Sequence, residues 1–366
     1  MATIDKPLPN VDNDKAQEEI VEIENKKAAE VIDTPTGPVE VAMDEMGGAE
    51  VSFDPTNVNV DPSQDHFANL AETMDDGDLD SLGNKMIDQY NEYKESRSDW
   101  EDTYRNGLEL LGFKYERRTE PFRGASGVNH PVLAESVTQF QAQAYKELLP
   151  SDGPVRTQIM GDVNVPKEEQ AKRVKDFMNY QIMDQMKEYE PEFDQMLFYL
   201  PLSGSTFKKV YYDDLLGRAV SKFVPADDLI VPYSANSLED AEAIIHVIKI
   251  SENELRKQQV NGFYRDIELG EPPITENQLE DKKLELEGIQ KDGQEDQYTL
   301  YEIHTNLDLE GYEDMGADGE PTGIKLPYVV TVAQANSKVL SIRRNYKAED
   351  PRKNKINYFV QFKFLP

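Results

Sequence analysis

Cysteine is absent from this 366-residue sequence. Its absence excludes disulfide bonds, zinc–thiolate sites, iron–sulfur clusters and thiol nucleophiles, and it is typical of a chain made in a reducing cytoplasm. No apolar run approaches the roughly 18 residues that span a bilayer. The N-terminus has neither the basic start nor the apolar stretch of a secretory signal. The sequence therefore predicts a protein with no membrane partner.

The common signatures of catalysis are also missing. The sequence contains no GxxxxGK[ST] phosphate loop, no GxGxxG fingerprint and no HExxH zinc pair. Its four histidines are too far apart to indicate a metal site by spacing: His66, His130, His246 and His304. His246 lies in an apolar run, which favours a histidine that is satisfied within the core or on a sheet face. We therefore predict no enzyme activity, no metal and no cofactor.

Two pairs of adjacent carboxylates form the exception. Asp213-Asp214 and Asp227-Asp228 resemble the acidic pairs that hold magnesium in two-metal nucleases. The first pair opens a predicted hairpin turn, and the second follows Pro225-Ala226 before a predicted strand. Asp is favoured in turns because its side chain bonds the local backbone. A turn role is the preferred interpretation, and a metal-dependent nuclease is the weaker alternative.

Acidic residues outnumber basic ones by 71 to 39, which gives a net charge of −32. Residues 1–100 hold 25 acids and 7 bases, a net charge of −18. Such a surface opposes tight wrapping of DNA, because phosphate contacts need Lys and Arg. It suits a surface to which DNA must not stick, although a purely solubilising role explains the N-terminal part equally well.

Composition and periodicity predict an α+β protein in which long amphipathic helices are followed by antiparallel β hairpins. Residues 1–78 read as a disordered acidic tail, because they offer too little apolar surface to offset the entropy of ordering. A helical region at 79–200 precedes a β-rich region with one helix at 201–265. An acidic polar insert at 266–297 separates it from a second β-rich region at 298–366.

Within the helical region, apolar residues recur at helical spacing from Lys167 to Leu200, and Pro191 is expected to kink the helix. Core packing is the preferred interpretation of this methionine-rich stripe, and an adaptable binding face is the alternative. Further along, Ser251 and Glu254 predict a capping box at the start of a shorter helix.

One concentrated basic feature stands out in the loop KYERRTEPFRGASGVNH. Its basic residues are Lys114, Arg117, Arg118 and Arg123. They could contact DNA phosphate or the acidic face of a neighbouring subunit. Equally, they could pair with the excess acid of their own chain, at little energetic gain. Any DNA contact would be non-specific, since no recognition-helix pattern is present.

Two stretches of the sequence resemble a known family. They are RTEPFRGASGVNHPVLAESVTQFQAQAYKELLPSDGPV (118–155) and PLSGSTFKKVYYDDLLGRAVSKFVPADDLIVPYSANSLEDAEAIIHVIKISENEL (201–255). Both are similar to the N-terminal portion of tailed-bacteriophage portal proteins, the podovirus-type head-to-tail connectors. The most telling pieces are the Gly-Ala-Ser loop, the junction into the lysine-bearing hairpin, and Val224-Pro225-Ala226-Asp227-Asp228. These motifs are structural, and what they resemble is mainly the wing of that fold.

The resemblance implies a structural subunit of a homo-oligomeric ring, usually of twelve copies, at one capsid vertex. Such a ring forms the channel for packaging and ejection of double-stranded DNA. It also docks terminase, capsid and tail adaptor proteins. The resemblance places the protein in the virion, and in the host cytoplasm during assembly. Another virion structural, adaptor or scaffold protein is the alternative.

The final residues, YFVQFKFLP, stop inside an apolar β-like run. A natural domain rarely ends on such an edge, so the sequence predicts a fragment of a longer protein.

Overall fold

The computed structural model places a large part of the chain. The residues that it describes are 66–111, 122–123, 125, 130–161, 163–213, 216–272, 279, 283–284, 297–316 and 320–364, with the backbone of three strands between 30 and 52. The chain divides into two compact units, Met1–Ala68 and Asn69–Pro366.

The first unit contains a small antiparallel sheet. Its strands are β1 (Glu30–Thr34), β2 (Gly37–Met43) and β3 (Ala49–Ser52), in the order β1-β2-β3. These segments are valine-rich, a composition that favours strands even within an acidic stretch. They fall inside the range predicted as a disordered tail. The rest of residues 1–65 lies outside the described part, and its predicted disorder stays a prediction.

The second unit contains six α-helices in its described part. They are α1 (Asp76–Ser96), α2 (Ser98–Leu111), α3 (Val132–Leu148), α4 (Val165–Tyr180), α5 (Tyr189–Ser203) and α6 (Glu252–Val260). Side-chain caps mark several starts, because the first backbone N–H groups of a helix have no partner within it. Ser251 accepts from the Glu254 N–H at 3.4 Å, which is one of the two hydrogen bonds of the predicted capping box. A short 3-10 helix at Leu70–Glu72 and the start of α1 lie within the range assigned to the tail.

Two antiparallel sheets complete this unit, and their strands follow the chain order. The strands are β4 (Ser205–Asp213), β5 (Arg218–Val224), β6 (Leu229–Ile230), β7 (Ala243–Ser251), β8 (Gln297–Leu307), β9 (Leu326–Ala333), β10 (Val339–Arg344) and β11 (Phe359–Lys363). One sheet has the order β10-β9-β8-β7-β6, and the other has the order β11-β4-β5. The predicted α+β class is confirmed at this level, and the predicted hairpin is β4–β5.

Helix α1 covers one face of the five-stranded sheet. Leu79, Met86 and Tyr90 share a buried cluster with side chains of β8, β9 and β10, and the ring of Tyr90 stacks on that of Tyr301 with centroids 3.9 Å apart. Helical spacing of about 3.6 residues places these side chains on one stripe. Burial of this stripe is the main hydrophobic contribution that α1 makes to the fold.

The opposite face of the same sheet meets two different layers. At one end, Leu300 packs with Leu255 of α6. At the other end, Ile244 of β7 packs with Phe207 and Phe359 of the three-stranded sheet. Successive side chains of a strand point to opposite faces. Strand β8 therefore contacts α1 with one face and the second sheet with the other.

The helix predicted from Lys167 to Leu200 is in fact two helices. Helix α4 ends at Tyr180, a π-helical turn spans Gln181–Gln185, and α5 begins at Tyr189. The predicted kink at Pro191 is wrong: this residue lies in the first turn of α5, where the missing N–H of proline removes no intrahelical bond. Gly204, with φ of 78°, ends α5, and its N–H donates to the Leu200 carbonyl at 3.0 Å.

Candidate functional site

The predicted basic cluster is only partly placed. Lys114, Arg117 and Arg118 lie outside the described residues. Arg123 lies in an exposed turn, next to the bond between the Ala125 N–H and the Phe122 carbonyl at 3.0 Å. Because Arg123 alone of these four residues is described, the role of the cluster in binding DNA or a subunit stays a prediction.

The first carboxylate pair stands at the hairpin turn, as its sequence context predicts. Asp213 is the last residue of β4, and its Oδ1 accepts from the Leu216 N–H at 3.1 Å. This bond to the local backbone is the usual role of Asp in a turn. Asp214 lies outside the described residues.

The second carboxylate pair lies on the connection into β6 and faces a lysine from the acidic insert. Lys283 Nζ donates to both carboxylate oxygens of Asp227, at 2.6 and 2.7 Å. The Lys283 ammonium also lies over the rings of Tyr199 and Tyr104, 5.3 and 5.9 Å from their centroids. Asp227 is therefore one half of a well-covered ion pair.

Asp228 sits beside this ion pair in a partly buried position. Burial, followed by the repulsion of the Asp227 carboxylate, raises the pKa of Asp228 to about 6. The Lys283 ammonium acts in the opposite direction. An ammonium from the chain itself thus neutralises the Asp227 carboxylate.

Arg97 fixes the other side of this connection, a role that sequence reasoning missed. Its guanidinium, buried between α1 and α2, donates to the backbone carbonyls of Ala226, Asp227 and Leu229 at 2.9, 2.7 and 3.1 Å. It also bonds Glu101 at 2.9 Å. One planar donor therefore fixes three backbone carbonyls of a single connection, for which lysine has no equivalent geometry. Nothing in the local sequence distinguishes this arginine from a solvated one.

Two adjacent lysines on β4 face opposite directions. Lys208 points toward α5, where its Nζ lies 4.0 Å from the centroid of the Tyr189 ring and 5.2 Å from that of Phe193. This ammonium is buried and has no hydrogen-bond partner. Burial lowers the pKa of Lys208 to about 8, although the carboxylates of Glu192 and Glu188 act against that shift.

Lys209 points into the junction between the two sheets. Its Nζ donates to both carboxylate oxygens of Glu302 on β8, each at 2.7 Å. The Nε2 of His304 lies 2.7 Å from Glu302 Oε1. Burial alone would raise the pKa of Glu302, but the Lys209 ammonium and the hydrogen bond to His304 hold it well below its usual range. The carboxylate therefore joins one sheet to the other through a largely buried ion pair, whose side chains are 15 and 14% exposed.

His246 stands on β7 next to this cluster. The prediction that it lies on a sheet face is confirmed, but its Nδ1 is buried without a hydrogen-bond partner. Burial lowers its pKa to about 3, so the ring is neutral. His246 and His304 both meet the ring of Phe359 of β11 edge-on, with centroids 5.6 and 5.2 Å apart. The histidines thus pack as part of the junction.

The junction between the two sheets is closely packed and leaves little room for a ligand. A cavity of about 10 Å³ beside His304, Tyr358 and Lys355 has room for about one water molecule. Over the described ranges, no group of three or more His, Asp or Glu residues is arranged to hold a metal ion. We take the Lys209–Glu302–His304 cluster and the Arg97–Asp227–Lys283 cluster as the candidate functional sites.

Comparisons with known proteins do not assign a family. No protein-family model matches the chain, and no curated protein matches it. In the part of the chain that the structure places, no helix is both long enough and apolar enough to cross a membrane.

Proposed function

We propose that this chain is a structural subunit of the portal ring of a tailed bacteriophage. In this role it would occupy one capsid vertex, form part of the channel for DNA packaging and ejection, and help to dock terminase and tail proteins. The resemblance of residues 118–155 and 201–255 to portal proteins motivates the proposal.

The observation that supports this function best is that charged side chains, largely shielded from solvent, connect different elements of the fold. We call these connections joints. Lys209 and Glu302 join the two sheets, and Arg97 joins the α1–α2 corner to the connection into β6. A buried ion pair costs desolvation and is seldom a net source of stability, but it favours one arrangement of its elements. A ring subunit that bears load while DNA passes needs such fixed joints.

The stretch that carries most of the resemblance forms these joints. Residues 201–255 comprise the end of α5, strands β4 to β7 and the start of α6. They include both lysines of the hairpin and both carboxylates of the second pair. The motifs therefore coincide with the places where the elements of this unit are connected.

The net charge of −32 also suits a channel subunit. Tight binding of DNA depends on neutralising phosphates with Lys and Arg, and an acidic surface denies that neutralisation. Acidic surface along a channel would let DNA slide.

Negative-stain electron microscopy of the purified full-length protein tests the proposal. We expect closed rings, most of them with twelve subunits. A product that remains monomeric at high protein concentration would overturn the portal assignment.

Another virion structural, adaptor or scaffold protein is the second candidate, because the strongly acidic residues 1–100 suit it equally. The neighbouring genes distinguish the two: a portal gene lies beside a large terminase gene. A nuclease would need magnesium-dependent DNA cleavage that Asp227→Ala abolishes, whereas here Asp227 is engaged by Lys283.

A further inference from the structure

The ammonium of Lys283 lies in a small enclosure built by other parts of the chain. Its Nζ donates to both carboxylate oxygens of Asp227 and lies 5.3 Å from the centroid of the Tyr199 ring on α5. The ring of Tyr104 on α2 is 5.9 Å away. The Lys283 and Asp227 side chains are only 15 and 13% exposed. We define the enclosure as Tyr104, Tyr199, Asp227 and Asp228.

The enclosure is lined by groups that attract a positive charge. The Tyr104 hydroxyl is buried and has no hydrogen-bond partner. Burial, followed by the charge of the Asp227 carboxylate, raises the pKa of Tyr104, and Asp228 acts in the same direction. An unpaired buried hydroxyl beside two carboxylates is costly for the fold alone. Carboxylates accept hydrogen bonds from an ammonium, and aromatic faces attract it.

Contacts that do not involve Lys283 hold the walls of the enclosure in place. Arg97 donates to the carbonyls of Ala226, Asp227 and Leu229, so it fixes the backbone that carries the two carboxylates. On α2, Tyr104 stacks on the ring of Trp100, with centroids 5.2 Å apart. A site whose walls are fixed by such contacts is preformed, which lowers the entropic cost of binding.

The residue that fills the enclosure comes from a strongly acidic segment. Residues 271–296 contain nine acids and three bases. Two carboxylates repel such a segment unless a cation lies between them. Lys283 supplies that cation, and Leu279, four positions earlier, packs in one buried cluster with Tyr104 and Leu108. The ammonium thus allows an acidic segment to lie against an acidic wall.

We propose that the enclosure is a binding site for a primary alkylammonium ion and that Lys283 is its built-in ligand. A ligand tethered to its site has a high effective concentration. Lys283 therefore excludes free amines from the intact chain, and it ties the acidic segment to α2 and α5. Once the lysine side chain is removed, a free alkylammonium ion binds in its place. The site needs neither a ring nor a second copy, so it goes beyond the portal proposal.

Chemical rescue of a truncated lysine in the full chain tests the site. Lys283→Ala should lower the melting temperature by about 5 °C or more, because Asp227 loses its cation. The n-propylammonium ion reproduces the atoms that this substitution removes. Adding it should restore at least about half of the loss, and the effect should saturate as binding at one site requires. Sodium chloride at equal ionic strength corrects for general effects of salt.

Matched controls separate the site from a general effect of amines. Lys282→Ala removes the same side chain one position earlier, and neither it nor the wild type should respond to n-propylammonium beyond the sodium chloride control. Two other additives should fail to rescue Lys283→Ala. They are 1-propanol, which has no charge, and tetramethylammonium, which has no N–H to donate.

Trp100 provides a second measurement within the same cluster. It is the only tryptophan of the chain, and its ring stacks on that of Tyr104. Its fluorescence should change in Lys283→Ala and return toward the wild-type spectrum when n-propylammonium is added. Combining Lys283→Ala with Asp227→Asn should abolish this return, because the charge that binds the ammonium is then missing.

Each outcome supports or overturns the site. Rescue that is confined to Lys283→Ala and lost with Asp227→Asn supports it, as does a Lys283→Ala chain that folds in n-propylammonium but not in sodium chloride. Equal behaviour of Lys283→Ala and Lys282→Ala overturns it, and so does a Lys283→Ala chain that stays unfolded in both salts. The result is independent of microscopy: a monomeric wild type that shows the rescue overturns the portal proposal and keeps the ammonium site.

Discussion

At the scale of single residues, Lys208 and Lys209 show how position decides the role of a charge. Adjacent strand residues point to opposite faces. Lys209 therefore reaches Glu302 in the junction, whereas Lys208 enters an aromatic environment beside α5. The Lys209 ammonium has a carboxylate partner in hydrogen-bond contact, whereas the Lys208 ammonium lies over ring faces without a hydrogen-bond partner.

Lys209→Met should destabilise the chain by about 3–5 kcal/mol, because it leaves the Glu302 carboxylate buried without its cation. Urea unfolding measures the change in the free energy of unfolding. Lys347→Met, at an exposed position, is the control and should change this free energy by less than about 0.5 kcal/mol. Equal effects of the two substitutions would show that the ion pair is not important for stability.

The Lys209–Glu302 ion pair also predicts that the free energy of unfolding depends on pH. The pKa of Glu302 is lower in the folded chain than its ordinary value of 4.5. Its contribution to stability is therefore complete above about pH 4.5 and is lost as the pH falls toward the depressed folded value. Loss of Lys209 should flatten this acid limb of the stability profile.

Lys208→Met should increase the free energy of unfolding, whereas Lys209→Met should decrease it. The pKa of Lys208 falls from 10.5 to about 8 on folding, so the unfolded chain binds more protons between these values and stability rises with pH there. Replacing the buried ammonium should raise the free energy of unfolding at pH 7 by about 1–3 kcal/mol and remove that rise. Urea titrations at pH 7 and pH 9.5 check both effects. A destabilised variant would show that the contact with Tyr189 outweighs the cost of burial.

At the scale of elements, the packing of α1 depends on one glycine. A Cβ on Gly83 would lie 1.9 Å from the carbonyl oxygen of Ser337, in the turn between β9 and β10. Only a residue without a side chain lets the helix approach the sheet this closely.

Gly83→Ala should lower the free energy of unfolding by about 1–3 kcal/mol, the usual cost of overpacking. Gly107→Ala, in the interior of α2, has open space around the new methyl group and should stabilise the chain by about 0.5–1 kcal/mol. Thermal unfolding of the two variants measures both changes. The gain in helix propensity is common to the two substitutions, and only Gly83→Ala adds a packing clash. Two changes of the same sign would contradict the close approach of α1.

Element types were predictable where the pattern is local. The β4–β5 hairpin and the capping box at Ser251 follow from residues a few positions apart. The division of 167–200 was not predictable, because apolar spacing continues through the π-helical turn at Gln181–Gln185. Core packing holds for Phe193 and Met196 but is wrong for Val174 and Phe177, which are exposed.

At the scale of the whole molecule, charge predicts weak binding of DNA. With a net charge of −32, we expect the full-length chain to bind duplex DNA more weakly than about 10⁻⁴ M at physiological salt. Fluorescence anisotropy with a labelled duplex of random sequence measures this. Saturable binding in the micromolar range, lost on replacing Arg117 and Arg118 by Ser, would instead assign the basic loop to DNA.

By itself, the amino-acid sequence determined the acidity of the chain, its lack of thiol chemistry, most of its helices and strands, and the turn role of Asp213. These properties depend on composition or on neighbours along the chain. Tertiary structure decided that Arg97 holds the backbone before β6, that Lys283 pairs with Asp227, and that Lys209 meets Glu302. Those partners are 56 to about 130 residues apart. No local pattern encodes such contacts, because they exist only once the sheets and helices have packed and excluded water from the charges.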